Sequence, residues 1–216
     1  MITRKSLTSN LKTAALALPL ALLCLSNECL AQGTTQILFD GQAPGTFITI
    51  AQHVESGVRF WNPYGPQNLA IVGGGIAGLP ENGTAYLQVP GGGTRLGFRL
   101  LSFAPFNLFS LDLAEYDTSL PGALTIRVVG YKFQDAQVAT DLTTDGINDG
   151  TGPQPDFQTF TFDSRFRDLY RVEILSERFS LDNVVIGGVP EPSVGGLVLL
   201  GTLCVLGRSR VRSRHR

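Results

Sequence analysis

The chain has 216 residues, with 17 Lys plus Arg against 18 Asp plus Glu and only 16% charged residues. Its 43% apolar content excludes a disordered chain, and 25 Gly with 12 Pro exclude a helical bundle. The length fits one domain with appendages, and a near-zero net charge conceals three unlike segments: +2 over residues 1–31, −7 over 32–188 and +4 over 189–216.

At the N-terminus, Arg4, Lys5 and Lys12 precede an apolar run from Ala14 to Leu25, and Cys29-Leu30-Ala31 supplies small residues after it. A positive start, a short apolar stretch and a small-residue site predict a secretory signal peptide over 1–31, cut after Ala31 and read by the export machinery. Twelve apolar residues are too few to cross a hydrocarbon core of about 30 Å. Lipidation at Cys24 or Cys29 is disfavoured by Leu23 and Glu28, poor residues just before a modified cysteine. Once 1–31 is removed, the only cysteine left is Cys204, near the C-terminus. The segment 32–188 therefore cannot be a disulfide scaffold, a thiolate enzyme or a Cys-ligated zinc site. It is long enough to stand on its own core.

From Ile37 to Ile186, apolar and polar residues alternate with period two between Gly, Pro, Asn and Asp clusters. Leu96, Phe98 and Leu100 alternate with Arg95, Gly97 and Arg99; Leu124, Ile126 and Val128 with Thr125 and Arg127; Tyr170, Val172 and Ile174 with Arg171 and Glu173; Phe179 and Leu181 with Ser180 and Asp182. No helical period persists. The expectation is an all-β, antiparallel jelly-roll-like sandwich of nine to eleven short strands over 32–188.

Within that domain, His53 and Glu55 fall on one face of a predicted strand, with His53 expected as a lone surface histidine. Phe60-Trp61-Asn62-Pro63-Tyr64-Gly65 holds the only Trp of the chain. Trp61, Asn62 and Tyr64 are the ligand-binding candidates, in a loop: aromatic faces take the apolar side of a sugar ring while amides take its hydroxyls. Leu69 to Leu79 imitates a dinucleotide fingerprint through Gly73, Gly75 and Gly78, but Pro80 and Asn82-Gly83 stand where the phosphate-facing helix must begin. A loop is predicted there instead.

Further along, Asp112, Glu115 and Asp117 offer carboxylate pairs of the kind a glycosidase uses. A weak extracellular glycoside hydrolase is the runner-up to a non-catalytic role. The acidic stretch from Asp141 to Asp156 carries Asp141, Asp145 and Asp149 among glycines. Such hard oxygen donors in a pliable loop suit calcium, although the spacing is not that of an EF-hand. The net −7 of this segment argues against nucleic acid as a partner.

The C-terminus reads Val189-Pro190-Glu191-Pro192, then an apolar segment to Gly207, then Arg208, Arg210, Arg212, Arg214 and Arg216. Prolines bar a helix from running back into the domain. Fourteen apolar residues make a marginal transmembrane helix of at most about 21 Å. The arginines hold the tail on the cytoplasmic side. The tripartite pattern resembles the PEP-CTERM sorting signal of bacterial exported proteins. The resemblance implies recognition and cutting by an exosortase-type membrane peptidase, a transient membrane anchor, and delivery to the cell surface or beyond.

The middle segment also looks like the galactose-binding-like jelly rolls often found ahead of such signals. In related jelly rolls, an Asp of the last strand holds a structural calcium with groups near the first strand. That likeness implies Asp182 as the ligand and Asp40 with Gly41 as partners. Together these readings describe an exported, surface-sorted, non-catalytic protein of matrix or envelope, a candidate binder of extracellular polysaccharide with calcium as a staple.

Overall fold

The structure, a computed structural model, describes residues 33–188 apart from 66, 67, 120, 121, 151, 153 and 154. The expected signal peptide over 1–31, the Val189-Pro190-Glu191-Pro192 motif and the arginine tail from Arg208 to Arg216 lie outside the described residues.

Thirteen strands are described in chain order. The first seven are β1 (Thr34–Ile37), β2 (Phe47–Ile50), β3 (Gln52–Glu55), β4 (Val58–Trp61), β5 (Leu69–Val72), β6 (Tyr86–Val89) and β7 (Leu96–Leu100). The rest are β8 (Phe106–Glu115), β9 (Thr125–Tyr131), β10 (Gln137–Thr143), β11 (Gln158–Thr161), β12 (Arg171–Ile174) and β13 (Phe179–Gly188). The count exceeds the expected nine to eleven through short edge strands such as β2 and β3, too brief and too exposed to print a clear alternation. No α-helix occurs among the described residues.

The strands form an antiparallel sandwich. One sheet runs β11-β8-β13-β6-β5-β2, with β1 added beside the second half of β13; the other runs β10-β9-β12-β7-β4-β3. Inward residues of both sheets, including Phe60, Leu87, Phe98, Leu113, Val172 and Leu181, make one continuous buried core. This is the outcome of period-two alternation: with one face apolar, a register slip of one residue would expose the whole set. A register shift interrupts the β13–β8 pairing between Asp182 and Val185, where Asn183 takes a positive φ of 49°.

The glycine-rich stretch after β5 is a loop, as Pro80 and Asn82-Gly83 predicted. Gly75 and Gly78 sit at φ 81° and 83°, and a Cβ on Gly73 would fall 2.1 Å from the Ala43 carbonyl oxygen. The segment packs Ile76 and Leu79 over Ala70, Val72 and Tyr86, on the outer side of the first sheet. That sheet is therefore roofed at one end, which bears on where a ligand could reach the molecule.

Candidate functional site

The second sheet carries the more informative outer face. Val58 and Phe60 of β4 point into the core and are buried, so alternation sends Arg59 and Trp61 outward. Antiparallel register then fixes their neighbours. Trp61 stands opposite Gln52 on one side and Gly97 on the other; Gly97 stands opposite Glu173, and Glu173 opposite Val129. Arg59 stands opposite Arg99, and Arg171 opposite Tyr131.

Gly97 gives the indole its bed. A Cβ there would lie 3.3 and 3.4 Å from two carbons of the Trp61 ring and 3.5 Å from Pro63. The Arg59 and Arg99 guanidinium carbons stand 5.4 and 5.3 Å from the Trp61 ring centre, in cation–π range. Arg99 also covers exposed Phe103 at 4.1 Å. Arg95 lies 5.0 Å over Tyr64, and Arg171 lies 3.9 Å over Tyr131.

Glu173 ties this surface together. It is buried at 3% exposure, and a buried carboxylate is tolerable only when paired and hydrogen-bonded. The Tyr64 hydroxyl donates to its Oε2 at 2.7 Å and the Tyr131 hydroxyl donates to the same oxygen at 2.9 Å. The Arg171 Nε lies 3.1 Å from Oε1. Donation to Glu173, then burial, raises the Tyr64 phenol above its ordinary pKa. Burial first, then the same carboxylate, raises that of Tyr131. Both phenols stay protonated and serve as donors, which fixes their rings on the surface.

Three sequence candidates thus meet at one face, with one correction. Trp61 is the last residue of β4 and not a loop residue, because Phe60 rather than Trp61 fills the core position. Asn62 is 8% exposed, and its Oδ1 accepts the Tyr64 and Arg95 backbone N–H groups at 3.0 and 3.4 Å. Through that oxygen it braces the Trp61–Tyr64 corner. Sequence reasoning missed Arg59, Arg95, Arg99, Tyr131, Arg171 and Glu173. The signal was present in the alternation of Arg95, Gly97 and Arg99 with core residues; what the sequence withheld was that β7 lies between β4 and β12.

The acidic loop does not gather. Asp141 belongs to β10, where it pairs with Arg127 at 3.2 Å. The Asp145 carboxylate accepts from the Ile147 N–H and the Gln158 amide. The Asp149 N–H donates to Asp156 at 2.7 Å. Among the described residues, no three of His, Cys, Asp and Glu converge as a metal cluster. His53 is also not a lone surface residue: its ring lies 3.1 Å from Glu55 and packs near Phe39 and Phe60, and Glu55 accepts the Leu38 and Phe39 N–H groups.

Asp182 and Asp40 both border the loop that carries Asn82 and Thr84. Asp182 leaves the outer side of β13 yet is fully buried, because Asn82 and Thr84 close over it. Its Oδ2 accepts from the Asn82 amide at 2.5 Å and the Thr84 hydroxyl at 3.1 Å; its Oδ1 accepts the Asn183 N–H at 2.7 Å. Burial pushes its pKa up to about 7. Asp40, Glu81 and Thr84 line an adjoining cavity of about 540 Å³. These hard oxygens fit calcium in kind, while in the arrangement described each Asp182 oxygen already accepts a hydrogen bond.

The carboxylate pairs are spoken for. Asp112 and Glu115 sit three apart on β8 and so leave opposite faces. Asp112 accepts from Asn183 at 2.8 Å, Glu115 from Thr144 and the Gly146 N–H, and Asp117 caps the Ser119 N–H.

No protein-family model matches the chain, and no curated protein matches it. Among solved structures, it is similar to an arabinose-bound α-L-arabinofuranosidase at 13% identity and TM-score 0.38, over 70% of this chain and 26% of that one. It is similar to the endo-1,4-β-D-xylanase 10B of Clostridium thermocellum at 10% identity and TM-score 0.33, over 74% and 28%. A family 11 carbohydrate-binding module from the same organism gives 11% identity and TM-score 0.29, over 74% and 99%. The chain spans about a quarter of the length of the first two. Superpositions this loose say nothing of ligand or activity.

Proposed function

We propose that this chain is an exported, surface-sorted and non-catalytic protein whose jelly-roll-like sandwich binds carbohydrate on the outer face of its six-stranded sheet. One observation carries the reading: Trp61, Tyr64 and Tyr131 are held on that face by Gly97, Asn62 and Glu173 at distances that fix their rings. Pre-set aromatic surface flanked by polar groups is what a sugar ring needs, because little ordering is left to do on binding. Export through the predicted signal peptide and sorting by an exosortase-type peptidase at Val189-Pro190-Glu191-Pro192 would place this face at the envelope or matrix.

The test offers the full chain, in mild detergent, to a glycan array and to chromogenic glycosides. Retention without turnover is the expected result. Turnover abolished by replacing Asp112, Glu115 or Asp117 would replace binding by hydrolysis as the function.

Calcium belongs to the proposal as a staple at the Asp40–Asp182 end, not in the acidic loop. Relief of a buried carboxylate by a cation favours the folded state, so calcium is expected to raise the melting midpoint over that in EDTA. Equal midpoints would remove calcium from the account.

A further inference from the structure

The segment 32–188 has nine basic and sixteen acidic residues, so an average patch of its surface is negative. The outer face of the six-stranded sheet reverses that balance. Arg59, Arg95, Arg99, Arg127 and Arg171 stand outward there against Asp141 and Glu173, a net of +3. Arg127 is taken by Asp141 and Arg171 by Glu173. Arg59, Arg95 and Arg99 have no ion pair among the described residues, and their guanidinium groups lie against aromatic rings.

The second observation is a local cost. Arg59 and Arg99 are direct cross-strand partners, and like charges directly opposite in an antiparallel pair destabilise it. No carboxylate among the described residues relieves them; only the Trp61 ring stands by both. A pair that weakens its own sheet is kept where it does something else. Two guanidinium forks side by side next to one indole make a composite surface: the ring takes the apolar side of a sugar, and the forks take a planar anion carried on it. Arginine matches a carboxylate with two parallel N–H donors, which neutral hydroxyls do not repay equally.

We infer that this face is built for an acidic polysaccharide, one bearing uronate carboxylates along its chain, in preference to a neutral one. The inference rests on the carbohydrate-binding reading above and narrows its substrate class. Because the domain as a whole is negative, the attraction is local: at physiological salt, charge is screened beyond about 8 Å, so a chain lying on the face feels its arginines more than the distant acids.

The experiment is affinity electrophoresis of the full chain, in mild detergent, through native gels. The gels contain polygalacturonate, the same polymer fully methyl-esterified, a neutral β-glucan, or polyglutamate. Methyl esterification removes the charge while keeping the sugar backbone. The expected result is retention about tenfold stronger on polygalacturonate than on its ester, lost near 0.5 M salt where screening is a few ångströms. The preference should fall away in the Arg59→Gln/Arg99→Gln variant at an unchanged or higher melting midpoint, since it relieves a like-charge pair. It should survive in part in Arg59→Lys/Arg99→Lys.

Equal retention on the acid and its ester overturns the inference and leaves carbohydrate binding standing. An undiminished preference in Arg59→Gln/Arg99→Gln overturns it too, and so does equal retention by polyglutamate, which has the charge without the sugar. No retention by any glycan overturns both this inference and the function it rests on.

Discussion

Trp61→Ala is expected to abolish retention on polysaccharide while the protein stays folded. The separation follows from alternation along β4. Phe60 is fully buried between Phe39 and Phe98 in the core, whereas Trp61 faces outward over Gly97. Removing Phe60 would leave a core cavity and cost about 3–5 kcal/mol. Removing Trp61 leaves no such cavity; it strips the largest aromatic surface from the outer face and takes away the ring that Arg59 and Arg99 share. Central aromatic anchors of binding sites are worth about 2 kcal/mol or more when truncated, roughly a 30-fold loss of affinity. The checks are gel retardation for binding and circular dichroism melting for the fold. Unimpaired retention by a folded Trp61→Ala protein would take the indole out of the site.

The second large effect is on stability. Asp182 is buried beneath Asn82 and Thr84, and burial raises its pKa from 3.8 to about 7. In the unfolded chain this carboxyl ionises near pH 4; in the folded one it keeps its proton until near pH 7. Between those values the folded state holds the extra proton, so its contribution to stability is complete below pH 4 and is lost as pH rises through 7. A shift of about three units amounts to roughly 4 kcal/mol, or on the order of 10 °C in the melting midpoint for a domain of this size. In EDTA, the wild-type midpoint should therefore fall from pH 5 to pH 8 more steeply than that of Asp182→Asn. The slope is the readout, because an Asn amide would face the Asn82 donor and lower the absolute level. Asp156, raised in the same direction by its own burial, supplies a fall common to both proteins, which cancels in the comparison. Parallel slopes would show that Asp182 is ionised in the fold throughout.

What could be read in the sequence was the local part of this structure. Strands β7, β9, β12 and β13 announce themselves because one apolar face forces period two, and the Gly73–Gly78 stretch betrays itself as a loop because Pro80 cannot sit inside the helix that a phosphate site requires. The site was legible only where chemistry clusters in the chain, at Trp61 and Tyr64. Its other half comes from pairings across 36 and 76 residues, Trp61 with Gly97 and Gly97 with Glu173. Nothing in the chain near Glu173 foretells that two tyrosines, 109 and 42 residues away, donate to it. Asp182 shows the same limit. Alternation gave its direction correctly, but its burial is decided by a loop 100 residues earlier.

Trp61 is the only tryptophan of the chain, so its emission reports this face without a label. The most direct measurement is a fluorescence titration of the full chain with polygalacturonate oligosaccharides at low salt. A saturable change in intensity or wavelength, tracking gel retention and suppressed in Arg59→Gln/Arg99→Gln, is the predicted result. Glycan bound firmly while the indole emission stays constant would contradict it, since the ligand would then lie on some other part of the sandwich.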